Sequence, residues 1–529
     1  MTTEIPQNLA EQMTAAAQRI DCDLLIVGGG INGCGIARDA AGRGLSVVLC
    51  EKDDLASHTS SASTKLIHGG LRYLEHNEFG LVRKALIERE ILMRSAPHLI
   101  WPLQFVMPHA PGTGGQRPAW LIRAGLFLYD HLARRELLPA SSAIALRSHA
   151  AGAPLKTDYA RAFVYADGWV DDARLVVANA IDAAQHGAQI LTRTRCQSLR
   201  RKDDRWHAKL QCLNGASIDV TARAVVNAAG PWAADLLQNI AHQSGDKTLR
   251  LIKGSHIVVR KLFDHPYAYL FQHADKRIIF AIPYEQEFTL IGTTDIDYRG
   301  EVDKVAIDAS EVDYLCDLVN QYFARSITPA DVVWSFSGVR PLVEEGDKSP
   351  IKKAQGASTV TRDYRFELEQ NRAPLLSVFG GKITTFRVLA EEAMSLLCSL
   401  LSCDAKAWTA QSYLPGGALF GSAITNRGVT EFANYVQQKQ RDYAWLPSAL
   451  IARYVRGYGT RIDQLLAGRD AVAAMGDEIA PGLFAAEVDF LITHEWAVTA
   501  ADILWRRTKL GLHLPADTET VLSAWMLAR

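Results

Sequence analysis

Residues 28–33 read Gly-Gly-Gly-Ile-Asn-Gly, a G-x-G-x-x-G turn that follows the apolar run DLLIV at residues 23–27. A helix-compatible stretch, CGIARDAAGRG, comes next, then a second strand-like run, LSVVL, at residues 45–49. Glu51 closes the unit, 18 residues after Gly33. This order suits the pyrophosphate and ribose of a dinucleotide. Gly28 permits the tight turn, Gly30 lets backbone approach a phosphate, and Gly33 lets helix and strand pack closely. The helix N-terminus supplies N–H donors and positive dipole. Glu51 can accept from ribose hydroxyls and would repel a 2′-phosphate. Cys34, inside the helix start, reads as a small packing residue.

The fingerprint serves FAD and NAD alike. Two later strand-like runs, AVVNAA at residues 224–229 and PLLSVF at residues 374–379, end at Gly230 and at Gly380-Gly381-Lys382. A helix starting after Gly381 would suit the pyrimidine side of an isoalloxazine, because its dipole stabilises negative charge on a reduced flavin. The order of elements tilts the reading toward flavin. An ordinary strand-to-helix turn fits each segment singly.

The elements that must carry these residues form a chain of 529 residues, enough for three or four domains at ~150 residues each. Its 48% apolar and 22% charged content is that of a globular protein, which excludes collagen, a disulfide scaffold and a mainly disordered chain. Lys+Arg is 57 and Asp+Glu is 58, so a net charge of −1 argues against a dedicated nucleic-acid binder. The eight cysteines lack zinc spacing and are expected as free thiols. GxxxxGK[ST], HExxH and GxSxG motifs do not occur. The first 20 residues lack the pattern of a secretory signal and are expected as a tail. No run of ~18 apolar residues suggests a spanning helix. The segment PAWLIRAGLFLY at residues 118–129, with cations around it, fits a buried core helix slightly better than an interfacial one.

Five segments bear a family likeness: SSASTKLIHGGLRYLEH at residues 60–76, LIKGSHIVV at 251–259, IGTTDIDYRG at 291–300, SGVRPL at 337–342 and LLSVFGGKITTFR at 375–387. Together they resemble the FAD-dependent sn-glycerol-3-phosphate dehydrogenases of the bacterial aerobic respiratory type, within the D-amino-acid-oxidase-like flavoproteins. The likeness runs from about residue 23 to the C-terminus. An N-terminal extension and Phe386 in place of Tyr depart from it. It implies oxidation of sn-glycerol 3-phosphate to dihydroxyacetone phosphate, with FAD passing electrons to membrane quinone. It also implies a homodimer held peripherally on the cytoplasmic face of the inner membrane.

At the motif positions, Arg72, Tyr73, Arg340, Arg362 and Lys382 are the candidates for the phosphate, since planar and multiple donors suit a dianion. His256 is the candidate base, at the mouth of an apolar run, and Arg340 could stabilise a developing alkoxide. Ser60, Ser61, Ser63, Thr64, His68, Gly69 and Thr384 join Gly28, Gly30, Gly33, Glu51, Gly230, Gly380, Gly381 and Lys382 as cofactor candidates. No metal site is expected.

The implied fold is mixed α/β. It comprises a tail (1–20), a discontinuous Rossmann-like FAD domain (21–95, 160–250, 330–398), an antiparallel substrate region (96–159, 251–329) and a C-terminal helical domain (404–529). RIIFAIPYEQEFTLIGTTD at residues 277–295 reads as a hairpin. Trp496 and Trp505 are expected in the helical core. The alternatives are an amine or amino-acid oxidase, an O2-using glycerol-3-phosphate oxidase, and a silent flavin-binding protein.

Overall fold

The computed structural model describes residues 18–110, 117–242, 249–272, 277–343 and 363–529. Gln18–Val27 lies in the middle of a sheet, with Val47–Cys50 and Ser217–Asn227 parallel on its two sides. Gln189–Leu191 extends one edge. Leu375–Phe379 and then Arg365–Glu369 extend the other. Strands Thr194–Lys202 and Arg205–Cys212 branch off as an antiparallel arm. Apolar runs buried on both faces make the central strands, as parallel sheets require. Helices Ile31–Gly42, Asp172–Gln185 and Phe386–Leu401 cover one face and share its core.

The first strand begins at Gln18, so the expected tail of residues 1–20 overlaps it; residues 1–17 lie outside the description.

A second, mostly antiparallel sheet carries the other half of the cleft. Leu249–Arg260 pairs with Val332–Val343 along one side and with Phe288–Gly292 along the other. Ile278–Tyr284, Ala268–Gln272, Ile100–His109, Arg161–Val170 and Leu66–Ile67 continue it in that order. Arg161–Val170 and Val332–Val343 thus sit here, although the ranges 160–250 and 330–398 placed them in the FAD domain. The reason is pairing: both lie antiparallel against strands of this sheet, and local sequence cannot reveal a partner so far along the chain. Ile278–Tyr284 and Phe288–Gly292 form the hairpin, turning through Glu285 and Gln286 at φ 44° and 64°.

Helix Ala119–His131 buries only Ile122, Leu126 and Tyr129. Trp120 and Phe127 are 72% and 60% exposed, with Leu121 and Leu128 beside them. The expectation of a buried core helix is therefore corrected: one face packs, and the other is apolar and open. Among the described residues, no helix is long and apolar enough to cross a membrane.

The C-terminal helices, including Ser448–Tyr458 and Ala485–Glu495, have their own core. Trp505 is only partly buried and reaches outward to stack on Trp334 of the second sheet, 4.7 Å between centroids. Buried ion pairs join this domain to the rest. Arg507 donates to Asp54 at 2.7 and 2.8 Å, and Arg174 pairs with Glu495.

Near this seam, burial and the cations Arg174, Arg456 and Arg461 push the His98 imidazole down to about 3. An unfolded chain would protonate it near ~6.5. The unfolded state therefore binds more protons between about 6.5 and 3, and stability falls as pH drops through that window. Urea unfolding of the protein should show a midpoint that declines from pH 6.5 to 5, before most carboxylates titrate. His98→Gln should flatten that slope. An unchanged slope in the variant would remove His98 from the account.

Candidate active site

The two sheets and the turns at their ends enclose a cleft of about 480 Å³. Gly28, at φ 119°, opens its first turn. A Cβ on Gly33 would lie 1.9 Å from the Gly28 carbonyl oxygen, so only glycine lets helix Ile31–Gly42 start so close to the strand. Gly33 therefore acts beneath the cleft and does not line it. Gly30 does line it, and Ser60 Oγ accepts the Ile31 N–H at 3.0 Å. Ser60 thereby satisfies one of the donors that an open helix N-terminus leaves free.

Glu51 follows the second strand with its carboxylate in the cleft. It accepts the Gly29 N–H at 2.7 Å and the Asp53 N–H at 2.9 Å. Burial pushes its carboxyl above the ordinary value, against the pull of those two donors.

Gly380 and Gly381, at φ 71° and 99°, turn the chain from strand Leu375–Phe379 toward helix Phe386–Leu401. Asn32 donates to the Gly380 carbonyl at 3.1 Å, and its buried Oδ1 has no partner among the described residues. Asn32 lies inside the first fingerprint, and sequence reading passed over it. Thr384 accepts the His68 N–H at 3.2 Å, tying this turn to the segment 60–76.

The opposing wall is the strand pair of the second sheet. His256 faces Phe336, Gly254 faces Gly338 and Ile252 faces Arg340. Side chains alternate along a strand, so His256, Gly254, Gly338 and Arg340 share one surface. A Cβ on Gly254 would lie 2.8 Å from Thr293 Oγ1 and 3.5 Å from Arg340 Nη2. The glycine floor keeps open the space between the imidazole and the guanidinium. Arg340 pairs with Asp295 at 2.8 Å, a partner that sequence reading also missed although it lies in IGTTDIDYRG. Lys382 Nζ sits 3.7 Å from the centroid of Tyr73, and both line the cleft.

His256 is buried and shares a 3.0 Å hydrogen bond with Thr64 Oγ1. Burial first, then the charges of Lys65 and Arg340, lower its pKa to about 3. The imidazole is neutral at pH 7 and able to accept a proton.

Glu51, Ser60, Ser63, Thr64, His68, Tyr73, Gly230, His256, Arg340, Gly380, Gly381, Lys382 and Thr384 all line the cleft. Besides Gly33, three expected residues do not. Gly69 donates its N–H to Tyr129 Oη at 2.9 Å and lies behind the wall. Ser61 faces a neighbouring cleft beside Trp505, because the turn of residues 59–61 points it outward. Arg72 lies off the lining, on the short helical turn Leu71–His76. Arg362 is outside the described residues. Ser63 gives its hydroxyl to Asp172 at 2.7 Å.

Residues 23–387 match the family model described as FAD dependent oxidoreductase. The chain belongs to that family. Residues 407–526 match the C-terminal domain of alpha-glycerophosphate oxidase. A glycerol-3-phosphate dehydrogenase of Pseudomonas aeruginosa is 51% identical over 506 residues, 95% of this chain and 94% of that protein. D-erythritol 1-phosphate dehydrogenase of Brucella abortus is 49% identical, covering 95% and 97%. The aerobic glycerol-3-phosphate dehydrogenase of Escherichia coli is 45% identical, covering 96% and 97%. The solved glycerol-3-phosphate dehydrogenase of Bacillus halodurans, complexed with FAD, superposes with a TM-score of 0.73 at 26% identity, over 99% of this chain and 92% of that one.

FAD is the cofactor of this oxidoreductase, and the cleft fits it. The glycine turn and Glu51 suit its pyrophosphate and ribose, and the orphaned Asn32 oxygen awaits a donor. Gly33→Ala should abolish FAD retention, read as loss of flavin absorbance on purification. Circular dichroism should still report folded helices. Full flavin content in the variant would refute the packing argument.

Proposed function

We propose that this chain oxidises sn-glycerol 3-phosphate to dihydroxyacetone phosphate and delivers the electrons to a membrane quinone. The observation that carries this reading is the pairing of a neutral, buried His256 with Arg340 across a glycine floor. Arg340, with Lys382 and Tyr73 opposite, offers cationic and hydroxyl donors to a phosphate dianion. His256 takes the proton of the C2 hydroxyl. Arg340 also stabilises negative charge on that oxygen as the proton leaves. FAD, when bound, supplies the two-electron acceptor for the hydride at C2. Arg362, outside the described residues, is a further proposed contact to the phosphate; Arg72, off the lining, is not.

The names of the relatives favour a phosphorylated polyol over an amine. The Brucella abortus relative, 49% identical, is named for a four-carbon polyol phosphate, which supports a second reading with the same chemistry and a longer substrate. Specificity constants for the two phosphates decide between them. A preference of about tenfold or more for erythritol 1-phosphate would transfer the assignment.

Helix Ala119–His131 supports attachment to a membrane surface. Trp120, Leu121, Phe127 and Leu128 form an exposed apolar stripe, with Arg134 87% exposed just beyond it. An apolar face rimmed by cations suits insertion at the headgroup boundary. That surface is proposed to be the cytoplasmic face of the inner membrane.

Anaerobic addition of sn-glycerol 3-phosphate should bleach the flavin spectrum. Arg340→Ala should retain FAD yet lose turnover by at least ~100-fold. Bleaching at the wild-type rate in that variant would overturn the anion-site assignment. The protein should cosediment with anionic phospholipid vesicles, and Trp120→Ser/Phe127→Ser should release it. Retention of the double variant would move the membrane contact elsewhere.

A further inference from the structure

Asp295 and Arg340 come from opposite sides of strand Leu249–Arg260, yet their side chains meet at 2.8 Å. On one side of that strand, Arg340 lies opposite Ile252. On the other, the short strand Ile296–Asp297 pairs Asp297 with Ile252 and Ile296 with Lys253. Continued by one residue, that register puts Asp295 beside Gly254. A Cβ on Gly254 would come 2.8 Å from Thr293 Oγ1 and 3.5 Å from Arg340 Nη2. The ion pair thus bridges the middle strand over a residue that has no side chain to obstruct it.

An ion pair between side chains 35% and 21% exposed is a weak tether by itself. The backbone that carries Asp295 makes it firm. Just before it, Thr294 gives its hydroxyl to Glu311 Oε1 at 2.7 Å and accepts the Ser255 N–H at 2.9 Å. Glu311 is buried, and it also accepts from the Ser255 hydroxyl at 2.9 Å and from Lys253 Nζ at 2.7 Å. Just after Asp295, Asp297 takes two donors of Arg250 at 2.6 and 2.8 Å, and the Tyr298 N–H donates to the Leu251 carbonyl at 2.8 Å. The chain is therefore sewn to strand Leu249–Arg260 on both sides of Asp295. Lys253 and Ser255 face Glu311, and the alternation of the strand turns Gly254 and His256 the other way, into the cleft.

We propose that Asp295 is a positioning residue that reaches across Gly254 and holds the Arg340 guanidinium in the cleft, oriented for the substrate phosphate. This rests on the reading of Arg340 as a phosphate contact. Asp295 does not itself line the cleft, so it acts through the arginine. An arginine side chain has several rotatable bonds, and a partly exposed one spreads over many rotamers. Its guanidinium is a rigid planar fork of donors. Fixing Nη2 against a carboxylate sets the plane of that fork, whose geometry suits a phosphate bidentately. The substrate then meets an arginine already in place, and binding no longer carries the cost of ordering it.

Stopped-flow reduction of the FAD holoenzyme by sn-glycerol 3-phosphate tests this through a double-mutant cycle. Asp295→Ala should lower the second-order rate constant for flavin reduction by about 10- to 30-fold, with flavin content unchanged. Asp295→Asn keeps an oxygen able to accept from Nη2 and should stay within about threefold of wild type. In an Arg340→Ala background, Asp295→Ala should bring less than about a twofold further loss, because no guanidinium is left to place. Dihydroxyacetone phosphate, titrated onto the oxidised holoenzyme and followed by the flavin difference spectrum, should bind about tenfold more weakly to Asp295→Ala. A wild-type rate in Asp295→Ala would overturn the proposal, as would an equal loss in Asp295→Asn. Equal losses in the two backgrounds would also overturn it, since Asp295 would then act on something other than Arg340. Arg340→Ala alone separates the two levels: reduction at the wild-type rate would refute the phosphate contact itself. A slow Arg340→Ala beside a normal Asp295→Ala would refute the positioning role alone.

Discussion

The register between Leu249–Arg260 and Val332–Val343 governs the half of the cleft that carries His256 and Arg340. These strands lie far apart in the chain, yet they pair over nearly their whole length. Their alignment sets His256 against Phe336 and Arg340 against Ile252, on one surface. A slip of one residue would send the imidazole and the guanidinium to opposite faces of the sheet. Gly254 and Gly338 then matter for what they lack: a side chain on Gly254 would crowd Thr293 and the Arg340 guanidinium, and one on Gly338 would collide with Ala62.

The dinucleotide half depends on a different kind of closeness. Gly28 and Gly33 bring helix and strand together with no space for a methyl group. Gly380 and Gly381 bring in the far turn, and Asn32 bridges the two by donating to Gly380. Much of this was legible in the sequence, because glycine spacing, apolar runs and the acid at residue 51 are local signals. Strands at residues 224–229 and 374–379 were readable for the same reason.

What was not legible depends on long-range partners. The ranges 160–250 and 330–398 placed Arg161–Val170 and Val332–Val343 in the FAD domain, and only pairing assigns them to the second sheet. Asp295 looked like one acid among many until Arg340 met it. Thr64 and Ser63 read as hydroxyls near a cofactor, whereas their bonds run to His256 and Asp172. The helix at residues 119–131 is apolar enough for a core, and only the packing of Ile122, Leu126 and Tyr129 reveals which side stays open. Motifs thus announce themselves where chemistry follows the chain, and fall silent where it crosses between segments.

The ion pair between Asp54 and Arg507 has a bearing on how the protein is made. The cleft gathers residues from Val27 to Thr384, and the loop after Glu51 is gripped by residues 506 and 507, close to the C-terminus. A chain emerging from the ribosome presents its glycine turn early, but the far wall and the clasp on Asp54 arrive last. The clasp on Asp54 consequently forms only once residues 506 and 507 have been made. Until then Asp54 has only the more distant Arg193 of its three guanidinium partners.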